Sequence, residues 1–421
     1  MLRANPSLRR LLGVWAQSCV GTGAGYVALL LLVSRHSRSS WAISAVLLAE
    51  FVPATMFGSW FGALADRYSK RVLLVIANVI QVGAFIAVAG TVQVPLIVGL
   101  ALLAGIGNAL QGPTMRSAVP AIAGDASQTA VALRDTLRWA GLTLGPLLAA
   151  GLLLVGGPAL PLIINGASFA IAAIVIATIR IESPSMVGAA GGARARGIID
   201  GLRDAFQTNA IRWMVACSAG SVIGGGLLNV CEPRYATRVL HGSGSDYGAL
   251  VACYGIGMVA ATALVAHRGV TPLQQLAKRY ITALALTAAG MAGSAIVGSV
   301  PLAAWTFAAT GFANGLLVVT EAQIILGLVA HQVQGRLFGA KTAVEGAFFL
   351  MGLVAAGALI AATGVRATLA EGAAVCGVCA IAALIGLKGL RTAADSQAPV
   401  ETETALPLLT LTHGPQQPPP Q

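Results

Sequence analysis

From Leu11 to Ser34 the chain runs for 24 residues without a charged side chain, and a helix of that length rises about 36 Å, more than the ~30 Å of a bilayer's hydrocarbon. Runs of this kind recur along the sequence. Trp41 to Ala65 is interrupted only by Glu50, and Val72 to Met115, Trp139 to Ile179 and Ile281 to Thr320 are each about twice the length one crossing needs. The long runs break at Gly90 to Pro95, at Gly156-Gly157-Pro158 and at Gly298 to Pro301. With Trp213 to Cys231, Tyr247 to Ala266, Leu337 to Ala362 and Ala367 to Leu387, the pattern predicts an all-α membrane protein of twelve transmembrane helices. The fifth is expected to begin upstream, near Ala130. Composition agrees, since 57% of residues are hydrophobic and 10% charged, against about a quarter charged in soluble domains.

Charge placement orients these spans. Arg3, Arg9 and Arg10 precede the first, but its apolar run is too long for a cleaved leader and is expected to be retained. With the amino terminus inside, the outer segments hold only Arg35, Arg38, Arg234, Arg238 and Arg366 of the 26 Lys and Arg. Such a bias puts both termini in the cytoplasm, in the inner membrane of a bacterium. The net charge of +11 forms no basic face with interleaved aromatics, so nucleic acid is not an expected partner.

The segment Glu182 to Asn209 is Gly-rich and charged, and it divides the chain. The expected units are a six-helix bundle over 1–180, a cytoplasmic linker over 181–210, a second six-helix bundle over 211–390 and a disordered cytoplasmic tail over 391–421, rich in Thr, Gln and Pro. At an offset of 206, Gly105 and Asn108 match Gly311 and Asn314, and Ala149-Ala150-Gly151 matches Ala355-Ala356-Gly357. Two pseudo-repeated halves are therefore expected.

The sharpest local pattern joins spans two and three: Gly62-Ala63-Leu64-Ala65-Asp66-Arg67-Tyr68-Ser69-Lys70-Arg71. A basic anchor at the membrane surface would use Arg67, Lys70 and Arg71 and leave Asp66 without a role. With all of them used, Gly62 admits a neighbouring helix and Asp66 accepts from the exposed amides at a helix start. This pattern, with the span count and topology over about residues 8–390, resembles the major facilitator superfamily, whose loop reads Gly-x-x-x-Asp-Arg-x-Gly-Arg/Lys-Arg/Lys. Ser69 departs from it. The resemblance implies that Asp66 latches the outward-facing state against the start of span eleven, at Gly335-Arg336.

Within that superfamily, Gly105 to Pro113, Arg116, Pro120 and Ala130 to Gly151 look like the branch of drug and siderophore exporters. Gly141, Gly145 and Pro146 are similar to the core of its span-five antiporter motif, which implies a bend at Pro146 and sliding of helices five and eight. The arginine that many proton-coupled members carry in span four is absent near Ala101.

Acids inside a membrane are costly, so they are functional candidates by default. Glu50, near the middle of span two, is the foremost candidate for proton coupling, followed by Glu345 and Glu321, with Lys341 and Gln323 as companions. Arg134 and Arg138, four residues apart, share a face with Asp135 beside them. With Arg116 they are expected to form a cytoplasmic gate. Glu232, Arg234 and Arg238 read as an outer-loop cluster, and Asn229, Asn314 and Gln323 as polar lining of a central cavity.

The histidines are scattered, with no metal-ligand spacing and no partnered nucleophile, and no phosphate-cradling Gly-rich loop occurs. Neither metal, cofactor nor enzymatic activity is expected. Cys376 and Cys379 have redox spacing but lie within an apolar run, where small residues pack helices. The reading is a monomeric secondary transporter in the lipid bilayer, exporting a small amphipathic organic compound by proton antiport. A lysophospholipid flippase or uncoupled carrier is the alternative, and a non-transporting sensor or scaffold a more distant one.

Overall fold

The computed structural model describes residues 5–181, 203, 208–267, 271–329 and 331–388. The expected tail and most of the expected linker lie outside the described residues. Among those residues the chain is helical throughout: α1 (Pro6–His36), α2 (Ser40–Arg67), α3 (Lys70–Ala89), α4 (Val94–Ala123), α5 (Ser127–Gly156), α6 (Ala159–Thr178), α7 (Asn209–Arg234), α8 (Gly244–His267), α9 (Leu273–Ile296), α10 (Val300–Leu328), α11 (His331–Ala362) and α12 (Val365–Gly386). Ten segments are long and apolar enough to cross a membrane, one of them the 63 residues Val94–Gly156 that hold both α4 and α5.

Local chemistry sets the ends. Asn5 caps α1 by accepting from the Leu8 amide at 3.0 Å, with Pro6 in the first turn. Gly157 and Gly364, at φ of 60° and 87°, make the left-handed turns that start α6 and α12. Pro53, Pro113, Pro120 and Pro146 lie inside helices, where neighbouring helices can shelter the freed carbonyls.

Packing follows a regular scheme. α1 lies against α5 and α6, α2 against α4, and α3 against α4 and α6, while α7 lies against α11 and α12, α8 against α10, and α9 against α10 and α12. α5 meets α8 and α2 meets α11, and these two seams join the first six helices to the last six. α1 and α7 are the most enclosed of the apolar segments.

Backbones approach closely at paired glycines. A Cβ on Gly105 of α4 would lie 2.5 Å from the Glu50 carbonyl of α2, and one on Gly311 of α10 would strike the Tyr254 carbonyl of α8. Gly220 and Gly224 bring α7 onto α12 in the same way, with the sulfurs of Cys379 and Cys376 at 2.5 and 2.8 Å from their would-be Cβ atoms. All six cysteines are free, and this pair packs a helix crossing.

The expected outer-loop cluster is corrected. α7 runs through Cys231 and Glu232 to Arg234 and continues as a π-helical turn, Tyr235–Val239. Pro233 does not end it, because Tyr235 stacks on Phe307 of α10 with ring centroids 6.0 Å apart and holds the following turn down. Glu232 and Arg234 are thereby buried, at 6% and 4% exposure.

Candidate functional site

Where α1 and α7 face each other at mid-length, the Tyr26 hydroxyl donates to Asn229 Oδ1 at 2.6 Å. Glu50 of α2 and Glu232 of α7 both lie within electrostatic reach of that hydroxyl. The two acids share an environment. Each is enclosed, Glu50 at 8% exposure, and neither makes an ion pair or hydrogen bond among the described residues. Glu50 Oε2 is fully buried without a partner. Glu232 in turn lies within reach of Tyr247 and Tyr254 of α8; Asn314 of α10 is beside the Tyr254 hydroxyl, while that of Tyr247 is buried with no partner among the described residues. Five helices thus supply two lone carboxyls, three phenols and two amides to one region. It can bind a proton or a ligand that brings its own charge and donors.

A second polar cluster lies nearer the end of the bundle that carries the α2–α3 turn. Lys341 of α11 bridges Glu321 of α10 at 2.8 Å and Glu345 at 2.6 Å. Glu321 also accepts from Ser218 of α7, whose hydroxyl meets Tyr280 of α9 at 2.9 Å, and Tyr280 donates to the Met214 carbonyl. Lys341 is therefore the companion of both acids. Gln323 accepts from Arg279 of α9.

Arg134 pairs with Asp135 at the start of α5, and its main-chain carbonyl accepts from Trp15 Nε1 of α1 at 3.1 Å. Arg138 lies over the Trp139 ring at 5.9 Å, and Arg116 is within electrostatic reach of all three charged residues. The α2–α3 turn is two residues, Tyr68 and Ser69. Ser69 has φ of −57°, open to any residue, so this turn does not need the family's glycine. Lys70 and Gly62 are buried, whereas Asp66, Arg67, Arg71 and Arg336 are exposed at the same end of the bundle.

At the opposite end, guanidinium groups clasp the last turn of α1. Arg238 donates to the Ser34 and Ser37 carbonyls at 3.0 and 3.1 Å, and Arg234 to Ser37 at 3.4 Å. Ser40 reaches the Gly357 carbonyl of α11 at 2.7 Å, and Ser245 of α8 the Ala150 carbonyl of α5 at 2.8 Å. Phe51 and Phe349 meet edge to face between them.

The expected role of the span-five glycines is corrected too. Gly141 and Gly145 face α1, where a Cβ on Gly145 would lie 2.6 Å from both Gly23 Cα and the Val20 carbonyl, and Pro146 packs beside Gly23. The surface that α5 turns to α8 is made by Thr143 and Ala150, opposite Gly255 and Gly248.

Sequence reasoning missed the burial of Glu232, and with it Tyr26, Tyr247, Tyr254 and Glu371. Glu371 is a lone acid in the first turns of α12 with a buried Oε2 that lacks a partner, and the rule that singled out Glu50 applies to it equally. Among the described residues no His, Cys, Asp or Glu group suits a metal ion.

Long apolar helices around enclosed ionisable side chains define a multi-pass membrane protein. The sequence model of the Major Facilitator Superfamily matches residues 11–268, and the chain belongs to that superfamily, a family of membrane transporters rather than enzymes. Two curated relatives, both named as uncharacterized MFS-type transporters, come from Mycobacterium tuberculosis (strain ATCC 25618 / H37Rv) and Mycobacterium bovis (strain ATCC BAA-935 / AF2122/97). Each is 34% identical over 114 residues, 25% of this chain and 26% of the relative, so the match spans about a quarter of their length. Solved structures share the fold at low identity. The nucleoside transporter NupG superposes with a TM-score of 0.73 at 13% identity, covering 91% of this chain and 99% of that one. A bacterial homolog of the human lysosomal transporter Spinster, inward-facing and occupied, gives 0.68 at 13% over 93% and 98%, and an auto-inhibited POT family peptide transporter gives 0.68 at 13% over 91% and 97%.

Proposed function

We propose that the chain is a secondary transporter that exports an amphipathic organic compound from a bacterial cell by proton antiport. Its twelve helices act as spans in two six-helix halves, since the pairing scheme of α1–α6 recurs element for element in α7–α12. The bias of basic residues supports cytoplasmic termini in the inner membrane. In that orientation the clasped end is the outer one.

The observation that carries the antiport reading is Glu50. It is an enclosed carboxyl at the junction of the halves, without an ion-pair partner, where it can hold a proton in one state and release it in another. Glu321 and Glu345 share Lys341, so they serve better to tie α10 to α11 than to carry protons. Asp66 acts as the latch that grips the start of α11 at Gly335-Arg336 when the inner end closes. Arg116, Arg134, Asp135 and Arg138 form the gate at that end, and the protein works as a monomer. The test is substrate-driven proton release from protein in liposomes across roughly pH 6 to 8. Glu50→Gln should abolish the release, and a variant that exchanges as well as wild type would refute proton carriage by Glu50.

A further inference from the structure

We propose that the substrate is an organic cation, a protonated or quaternary ammonium on an apolar body, and that Glu232 is its counter-ion. The assignment rests on the transporter reading and adds to it a charge and a residue. Glu232 lies near the end of α7 facing the junction of the halves, at 6% exposure. An enclosed carboxylate without a partner is costly. Among the described residues none is supplied: Arg234, two residues on, is turned to the Ser37 carbonyl, and no ion pair or hydrogen bond reaches the Glu232 carboxyl. Tyr26, Tyr247 and Tyr254, from α1 and α8, all lie within its electrostatic reach.

Carboxylate and phenol rings together match an alkylammonium, whose charge the acid balances and whose methyl or methylene groups the rings cover. A second observation points to a ligand independently of the acids. The hydroxyl of Tyr247, a residue at 0% exposure, is buried without a partner beside Glu232 and Tyr26. Such a group in a site closed by apolar packing alone would be a standing penalty, whereas its oxygen can accept from a protonated ammonium or face a quaternary one. Glu50 is also within reach of Tyr26 but sits in α2, in the other half. The two carboxyls therefore divide the work, Glu232 holding the cation and Glu50 the exchanged proton.

Three purified proteins and two probes of one shape test this. Tetraphenylphosphonium and tetraphenylborate differ in the sign of their charge, and their binding to full-length protein in nanodiscs can be followed by calorimetry. Wild type should bind the phosphonium saturably and the borate not at all. Glu232→Gln should weaken the phosphonium by about tenfold or more, and Glu50→Gln should keep the affinity while losing proton release. If Glu232→Gln is not monodisperse, Tyr247→Leu, which removes a ring from the side of the cation, should weaken binding about threefold. The assignment is overturned if folded wild type binds no phosphonium, if the borate binds equally, or if Glu232→Gln and Tyr247→Leu leave the affinity unchanged. Cation binding that depends on Glu232 without proton release would sink the antiport and keep the cation site. Proton release driven by a neutral or anionic compound, without cation binding, would do the reverse.

Discussion

The Tyr26 hydroxyl of α1 donates to Asn229 of α7 at 2.6 Å, deep in the bundle and well below the arginine clasp. Both side chains are only partly buried, so their bond competes with water and contributes to the balance between conformations about what one neutral hydrogen bond does, ~1 kcal/mol. Tyr26→Phe should therefore shift the equilibrium away from the clasped conformation about fivefold. Hydrogen exchange over Tyr235 to Leu240, which the clasp holds down, should rise in proportion. Unchanged exchange there would show that the bond does not bias the states.

Lys341 stands between Glu321 and Glu345 with side-chain exposures of 12%, 4% and 20%. Its removal leaves two acids facing each other, so Lys341→Met should destabilise by about 3–5 kcal/mol. Glu345→Gln should cost less, because water already reaches that carboxyl. The order of thermal midpoints in detergent should be wild type, then Glu345→Gln, then Lys341→Met, and adding Glu321→Gln to Lys341→Met should recover part of the loss. Equal midpoints for all would mean that the triad is not holding α10 and α11 together.

Gly105 and Gly311 leave no room for a methyl group. Gly105→Ala should cost about 1–3 kcal/mol and, by pushing on the Glu50 backbone, should impair proton coupling as well; Gly311→Ala should cost a similar amount against Tyr254. Gly225, with open space where a Cβ would stand, serves as the neutral comparison. Should Gly225→Ala lower the melting midpoint as much as the other two, close backbone approach is not the cause.

Asp66→Asn keeps shape and removes charge at an exposed turn. The variant should still insert, while exchange in liposomes should slow about fivefold, the weight of a ~1 kcal/mol contact with a helix start. Normal turnover would dismiss the latch.

Much of this was legible before any coordinates. The breaks at Gly157 and Pro301 were visible because such residues end helices by their own stereochemistry, and Glu50 because a lone acid in an apolar run is expensive wherever the run packs. Glu232 was hidden by Pro233 and Arg234, which read together as a chain reversal. The continuation through Pro233 depends on Tyr235 finding Phe307, a contact between residues 72 positions apart. Similarly, Gly141 and Gly145 announce a small-residue face but not its partner; α1 takes that face because Gly23 lets it come close. Glu321 and Lys341 each invited a counter-charge, and only the crossing of α10 and α11 selects the pair.

The clasp that joins α7 to α1 is built from guanidinium groups on main-chain carbonyls, with no acid paired to them among the described residues. When that end parts, Ser34 and Ser37 can bond to water, and Arg238 exchanges one set of neutral acceptors for another. No pair of opposite charges has to be pulled apart. Opening should therefore be governed by hydration and helix packing and be nearly indifferent to ionic strength.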